Sequence, residues 1–148
     1  MPLGRIAVFF PEMHMPGFTV FRAKRSDLDK LRLARQLAHR LAEDAGVGLT
    51  YFVPAITQLK NSDLADIMAE GELTDLVKRR LKLSTGQTVG VVSAVARRYE
   101  TGVVLALWTA PERMRDLESC VLAKEVVVVT NDEDELDEWL EDMDAKVF

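Results

Sequence analysis

The loop from residue 11 to residue 16 holds the most obvious chemistry, because Glu12 and His14 lie two residues apart and methionines flank the histidine. A histidine near a carboxylate is typical of acid–base pairs, and a histidine beside thioethers also suits soft copper. The alternative is a surface loop whose methionines pack on the protein. A metal site needs more ligands at a matching spacing, which the sequence does not provide. We therefore predict no metal site and take Glu12 and His14 as candidate ligand-binding residues.

Three further candidates, Thr109, Asn131 and Asp132, follow two apolar runs near the C-terminus, 103–108 and 126–129. In an open parallel sheet, ligands usually bind beyond the carboxyl ends of the strands, where the strand order reverses. We therefore predict that these side chains lie at the rim of a ligand crevice. The alternative is that they cap the helices that follow. The same rule selects four loops: 11–16, 54–62, 108–111 and 130–134.

No known catalytic motif accompanies these candidates. The sequence lacks the G-x-G-x-x-G fingerprint of a dinucleotide site and the G-x-S-x-G elbow of a serine hydrolase. Residues 84–88 lack the spacing of a phosphate-binding loop, so we interpret them as the start of a helix. Cys120 is predicted to be a buried, unreactive thiol, and His39 a solvated residue on the polar side of a helix. The sequence therefore identifies neither catalytic residues nor a cofactor, and it leaves open whether the protein is an enzyme.

The two C-terminal apolar runs predict the fold class. A strand that is apolar on both faces has to be covered on both faces, which is typical of a parallel sheet between helices. Sixteen residues separate Trp108 from Glu125, which is enough for a helical crossover between parallel strands and too many for a hairpin. We predict an α/β fold with a mainly parallel, Rossmann-like sheet and helices on both faces, in three layers (α/β/α).

The remaining elements follow from periodicity and capping signals. An apolar stripe between residues 28 and 45 predicts a long helix, opened by Ser26 and ended by a left-handed Gly46. Other predicted elements are strands over 4–10, 17–23 and 49–53, a helix from Ser62 to Ala69, and a helix that begins at 84–87 and carries Val91, Val92, Val95 and Tyr99.

Length and composition indicate a single globular domain. The chain has 148 residues, of which 48% are apolar and 29% charged, a composition typical of soluble proteins. One domain over residues 1–148 accounts for this length. The apolar runs are far shorter than the roughly 18 residues of a membrane-spanning helix, so no membrane segment is expected. With one cysteine no internal disulfide can form, which predicts a cytoplasmic protein.

The net charge of −5 is concentrated towards the C-terminus. Residues 103–148 carry 4 basic and 13 acidic side chains, and nine of these acids lie between Asp132 and Asp144. Such a surface repels nucleic acids and anionic lipids, so neither is expected as a partner. We interpret the acidic stretch as a solvated helix face, with a docking surface for a basic partner as the alternative.

Three functional hypotheses follow. The first is a non-enzymatic regulatory or interaction protein that self-associates, because large apolar side chains are concentrated near the two ends of the chain. The alternative is a small-molecule or nucleotide-binding enzyme with its site at the carboxyl ends of the strands. A third is an adaptor whose acidic last helix binds a basic protein. The residues expected to form the self-association surface are Phe9, Phe10, Phe18, Phe21 and Phe148.

Overall fold

A six-stranded sheet between two helical layers forms the centre of the computed structural model, which describes residues 16–24, 27–93, 102–118 and 123–148. Every pair of neighbouring strands within these residues runs parallel. Apolar side chains pack on both faces of the sheet in two clusters. The predicted fold class, an α/β protein with a parallel sheet and helices on both faces, is confirmed. The predicted strand over 4–10 lies outside the described residues.

The elements alternate between strands and helices along the chain. The strands are β1 (Gly17–Ala23), β2 (Leu49–Phe52), β3 (Val89–Val92), β4 (Val103–Leu107), β5 (Glu125–Asn131) and β6 (Lys146–Val147), in the sheet order β3-β2-β4-β5-β1-β6. The helices are α1 (Leu28–Ala45), α2 (Asp63–Ile67), α3 (Glu72–Val77), α4 (Met114–Glu118) and α5 (Asp137–Asp142), with 3₁₀ helices at Ile56–Asn61 and Pro111–Arg113. None of the described helices is long and apolar enough to span a membrane.

The central strands β4 and β5 are buried on both faces. All five residues of β4 are buried, as are the five consecutive residues of β5 from 126 to 130. Because successive side chains of a strand point to opposite faces, Leu105 and Val127 pack against one helical layer, whereas Val104 and Val126 pack against the other. The first layer holds α1, the 3₁₀ helix at 56–61, α2 and α3, and the second layer holds α4 and α5.

Helix α1 is fixed by caps at both ends. The carboxylate of Asp27 accepts a hydrogen bond from the backbone N–H of Lys30 at 3.2 Å, so the cap is one residue beyond the predicted Ser26. Gly46 ends the helix with a φ of 66°, as predicted. Small side chains dominate the buried stripe and allow close packing against the sheet: Leu31, Ala34, Ala38 and Ala42.

The segment Val89–Val92 corrects one sequence prediction. It forms β3 and pairs with β2, whereas the sequence predicted a helix that begins at 84–87. Valine favours extended backbone, and the edge of β2 supplies hydrogen-bonding partners that align Leu49 with Val89. The residues before β3 form a turn instead of a helix cap. Residues 94–101, where the predicted helix would continue, lie outside the described part of the chain.

The chain leaves neighbouring strands in opposite directions at two places. After β2 it enters the first layer, and after the adjacent β4 it enters the second. The same divergence separates β1, which is followed by α1, from the adjacent β5, which is followed by α5. Such divergence opens a crevice at the carboxyl ends of the two strands. The fold therefore provides two positions at which a ligand site can form.

Candidate functional site

A cleft of about 510 Å³ lies at the first of these positions, between the carboxyl ends of β2 and β4. The described residues that line it are 53–55, 58–59 and 61–64, which follow β2, and 107–108, at the end of β4. Two of the four loops selected from the sequence, 54–62 and 108–111, therefore meet here. A cleft of this size is within the range of small-molecule sites in proteins.

Trp108 adopts an unusual backbone conformation at this cleft. Its φ of 54° lies in the left-handed region, which costs a residue with a side chain roughly 1–2 kcal/mol. Its N–H still donates to the carbonyl of Val129 in β5 at 2.8 Å. The pairing of β4 with β5 therefore extends to Trp108, although the chain turns away from the sheet there. Residues held in such conformations by their surroundings are concentrated at functional sites. Trp108 lines both the cleft and a second, smaller void.

Polar side chains after β2 give the cleft its hydrogen-bonding capacity. Within the described residues no hydrogen bond engages the carboxamides of Gln58 and Asn61, which offer both donors and acceptors. The hydroxyl of Ser62 donates to the carbonyl of Leu59 at 2.6 Å, so Ser62 precedes α2 as predicted but does not cap it with its side chain. Asp63, the first residue of α2, adds a carboxylate. The cleft thus combines apolar walls with a few polar groups.

The smaller void, of about 50 Å³, shares Trp108 with the cleft. Thr109 lines it, and its buried hydroxyl has no hydrogen-bond partner among the described residues. An unpaired buried polar group costs about 1–3 kcal/mol, so this hydroxyl favours contact with a polar ligand group. Arg113 also lines the void. Its guanidinium donates to the carbonyl of Ser93 at 2.9 Å and lies 4.8 Å from the centre of the Phe52 ring.

Thr109 is the predicted site residue that the structure places next to the cleft. The proposed capping role of its hydroxyl is wrong, because the residue before the 3₁₀ helix is Ala110 and the hydroxyl is unpaired within the described residues. The hydroxyl of Thr130 is likewise buried without a described partner. Glu12 and His14 lie outside the described residues, and their role stays a prediction.

Asn131 and Asp132 lie at the end of β5 and are not among the residues that line the cleft. The side chain of Asn131 accepts a hydrogen bond from the N–H of Glu133 at 3.0 Å, so it stabilises a turn and does not cap α5. The carbonyl of Asp132 accepts a hydrogen bond from the guanidinium of Arg22 at 3.1 Å. Arg22 of β1 thus contacts the segment that follows β5, at the second position where the chain diverges. A ligand-binding role for Asn131 and Asp132 stays a prediction.

A buried polar network lies between α1 and the sheet, centred on Tyr51 of β2. The Tyr51 hydroxyl accepts a hydrogen bond from Nε of Arg35 at 2.7 Å and lies 2.6 Å from Nε2 of His39. Arg35 also forms an ion pair with Glu72, the first residue of α3, at 2.9 Å. Because Tyr51 accepts from Arg35, its own proton is available to a neutral His39. Tyr51 has no exposed surface, so we interpret this network as structural.

His39 is therefore not the solvated residue that the sequence predicted. Burial and the positive charge of Arg35 lower the pKa of His39 to about 4. The carboxylates of Glu43 and Glu72 raise the pKa of His39, but by less than burial and Arg35 lower it. Burial raises the pKa of Tyr51 to about 12. At neutral pH both groups are uncharged, as their hydrogen bond requires.

Two of the five phenylalanines predicted to mediate self-association are buried inside the chain. Phe18 and Phe21 are 3% and 6% exposed and belong to the chain's own apolar clusters. Phe148 stacks on Phe21 with ring centroids 5.2 Å apart and remains 60% exposed. Phe9 and Phe10 lie outside the described residues. Any self-association surface near this edge therefore depends on Phe148 more than on its buried neighbours.

Groups suited to metal binding or nucleophilic chemistry do not converge in the described parts of the chain. No set of three or more His, Cys, Asp and Glu side chains there is arranged to hold a metal ion. The described lining of the cleft contains no histidine, lysine or cysteine. Cys120 lies outside the described residues. The groups that the cleft does offer, amide, hydroxyl and carboxylate, are those that hydrogen-bond to a ligand.

Sequence reasoning missed the side chains that line the cleft. It selected the two loops that meet at the cleft but proposed none of Trp108, Gln58 and Asn61 as a site residue, because carboxamides in a loop and a tryptophan at a strand end are common. The two loops are distant in the chain, and only the pairing of β2 with β4, for example Thr50 with Val104, makes them neighbours. Their chemistry could be recognised only after that pairing was known.

Comparisons with known proteins give no functional information. No family model matches this chain, and no curated protein or solved structure is detectably similar to it. The geometry and chemistry of the cleft therefore carry the functional argument.

Substitutions of Trp108 separate the cost of its backbone conformation from the contribution of its indole. Trp108→Gly and Trp108→Ala both remove the indole, but only glycine accepts a φ near 54° without strain. We expect the glycine variant to be more stable than the alanine variant by about 1 kcal/mol in urea unfolding. The same pair at Leu33, an exposed position in α1, should show the opposite order. Equal stability of the two Trp108 variants would contradict a left-handed backbone.

Protonation of His39 is expected to destabilise the folded protein. Because folding lowers the pKa of His39, its contribution is complete above about pH 6.5 and is lost as the pH falls to about 4. We expect the free energy of unfolding to decrease by roughly 2 kcal/mol across this window, less than the full shift implies because His39 is partly exposed to solvent. Urea unfolding at a series of pH values measures this change.

His39→Gln is the matched control for this pH dependence. Glutamine keeps an acceptor for the Tyr51 hydroxyl but does not titrate. Glu43 and Glu72 titrate in both proteins, so the difference between the two profiles belongs to His39. Identical pH profiles would show that His39 is not held neutral by the fold.

Proposed function

We propose that this protein is a non-enzymatic, regulatory domain that binds a small molecule in the cleft between the carboxyl ends of β2 and β4. The observation that carries the proposal is the position of the cleft, because it lies where two neighbouring strands send the chain into opposite layers. Ligands of open α/β sheets usually bind at such positions. The strained backbone of Trp108 at the same place supports it further.

The lining of the cleft favours binding over catalysis. Nucleophilic catalysis needs a nucleophile and a base within hydrogen-bonding distance of each other. The Ser62 hydroxyl donates to a backbone carbonyl, and the described lining has no histidine or lysine that could act as its base. The alternative from the sequence, an enzyme acting on a small molecule or nucleotide, needs groups beyond those that the described lining supplies.

A ligand in the cleft is expected to change the fluorescence of Trp108. Trp139, the other tryptophan, packs on Phe18 in the second layer, so Trp139→Phe leaves Trp108 as the only indole. We expect at least one compound from a collection of nucleosides, amines, amino acids and sugars to raise the melting temperature and alter this fluorescence. Trp108→Ala should weaken its binding about tenfold in calorimetry, because the lost aromatic contact is worth roughly 1.4 kcal/mol.

Leu33→Ala serves as the control for this experiment. Leu33 is 55% exposed in α1 and does not line the cleft, so its substitution should leave the affinity unchanged. The proposal is wrong if no compound stabilises the protein. It is also wrong if the compounds that bind do so equally well in Trp108→Ala.

We propose self-association at the β6 edge as a separate property. β6 pairs with β1 through two residues and is the last strand of the described sheet. Val147 and Phe148 are 48% and 60% exposed there, and exposed apolar groups at a sheet edge favour pairing with a second copy. Sedimentation velocity should detect a dimer that Phe148→Ser weakens and Val77→Ser, an exposed change in α3, does not. A monomer at every concentration would contradict this.

A further inference from the structure

We infer that the smaller void beside the cleft is a subsite for an uncharged, hydroxylated arm of the ligand, and that the ligand is in chemical class a nucleoside. This inference rests on the proposed function, because it assigns a ligand class to the same site. It follows from the juxtaposition of the buried Thr109 hydroxyl with Trp108 and with the carboxamide side chains of the cleft.

The cleft and the void are neighbouring parts of one crevice. Leu59, which packs in the first layer, lines only the cleft, whereas Phe52, which belongs to the apolar cluster of the second layer, lines only the void. Their linings share two residues after β2 and two at the end of β4: Val53, Pro54, Leu107 and Trp108. A ligand that contacts Trp108 can therefore extend into both.

Thr109 determines which group the void can hold. The residue is 4% exposed, and its hydroxyl has no hydrogen-bond partner among the described residues. A ligand group that hydrogen-bonds to this hydroxyl offsets the cost of its burial. A ligand hydroxyl is suited to this role, because it can either donate to Thr109 or accept from it.

The size of the void and the contacts of its arginine favour an uncharged arm. One water-sized group needs about 10–15 Å³, so a void of about 50 Å³ holds a hydroxymethyl group but is small for a phosphate. Arg113, the cationic residue in the described lining of the void, forms an ion pair with Asp116 at 3.4 Å. Its Nη2 also donates to the carbonyl of Ser93 at 2.9 Å. The positive charge is thus engaged by the chain itself.

The lining of the cleft offers contacts for the base of a nucleoside. Flat rings stack on the face of an indole, which Trp108 can provide. Gln58 and Asn61 carry carboxamides, and a carboxamide can pair with the adjacent donor and acceptor on the edge of adenine. Because Trp108 also lines the void, the sugar of a nucleoside stacked on it lies close to Thr109.

Three probes that differ only at the 5′ position of the sugar test this subsite: adenosine, 5′-deoxyadenosine and adenosine 5′-monophosphate. Calorimetric titration of the full chain should show adenosine binding about tenfold more tightly than 5′-deoxyadenosine, because only adenosine can hydrogen-bond to Thr109 through its 5′-hydroxyl. The monophosphate should bind more weakly than adenosine. Equal affinities of adenosine and 5′-deoxyadenosine, or tighter binding of the monophosphate, would overturn the subsite.

Thr109→Val removes the hydroxyl with little change in shape, and it should bring the affinities of adenosine and 5′-deoxyadenosine to within about twofold of each other. Thr130→Val is the matched control. Thr130 is also buried with a hydroxyl that has no partner among the described residues, but it lines neither the cleft nor the void. This variant should keep the preference for adenosine.

A preference that persists in Thr109→Val, or that is lost in Thr130→Val, shows that Thr109 does not recognise the hydroxylated arm. If Thr109→Val does not fold, the comparison of adenosine with 5′-deoxyadenosine on the unaltered protein decides.

The outcomes distinguish this inference from the proposed function. Adenosine that requires Trp108 for binding but gains nothing from its 5′-hydroxyl overturns the subsite and leaves the proposed function in place. If adenosine does not bind, the nucleoside class is wrong, and the other compounds of the collection then decide independently whether the cleft binds a small molecule.

Discussion

Burial of the central strands on both faces is the constraint on which the rest of this structure depends. β4 and β5 have no face in contact with water, so their connections must run through helical layers that cover them. Because such crossovers are right-handed, connections that leave in opposite directions along the sheet lie on opposite faces. β2 and β4 are neighbours whose connections diverge in this way. The cleft is therefore a consequence of strand order, before any side chain contributes to it.

The side chains around β2 support one wall of that cleft through contacts with α1 and α3. Tyr51 contacts Arg35 and His39 of α1, and Arg35 in turn pairs with Glu72 of α3. Tyr51 lies two residues before Val53, the first residue that lines the cleft. Small residues on the buried face of α1 bring the helix close to the sheet, so these polar groups are partly shielded from water. On the other wall, the left-handed backbone of Trp108 turns the chain while preserving its sheet hydrogen bond. Both walls are thus held by contacts within the chain.

The cleft combines this geometry with a small set of polar groups. Amides, one carboxylate and an indole converge in a space of about 510 Å³, whereas the described lining lacks paired nucleophiles and bases. That combination favours recognition of a ligand over catalysis.

The sequence by itself determined the sheet type, the positions of β4, β5 and α1, and the loops that can form a site, because two-sided burial and helical stripes leave readable patterns. It misassigned Val89–Val92, since a short run of valines has no period that distinguishes strand from helix. It also misjudged His39, whose partner comes from another element. Only the tertiary structure decided which loops meet and which polar groups are buried. The physical reason is that strand pairing joins segments distant in the chain, and local patterns do not record that pairing.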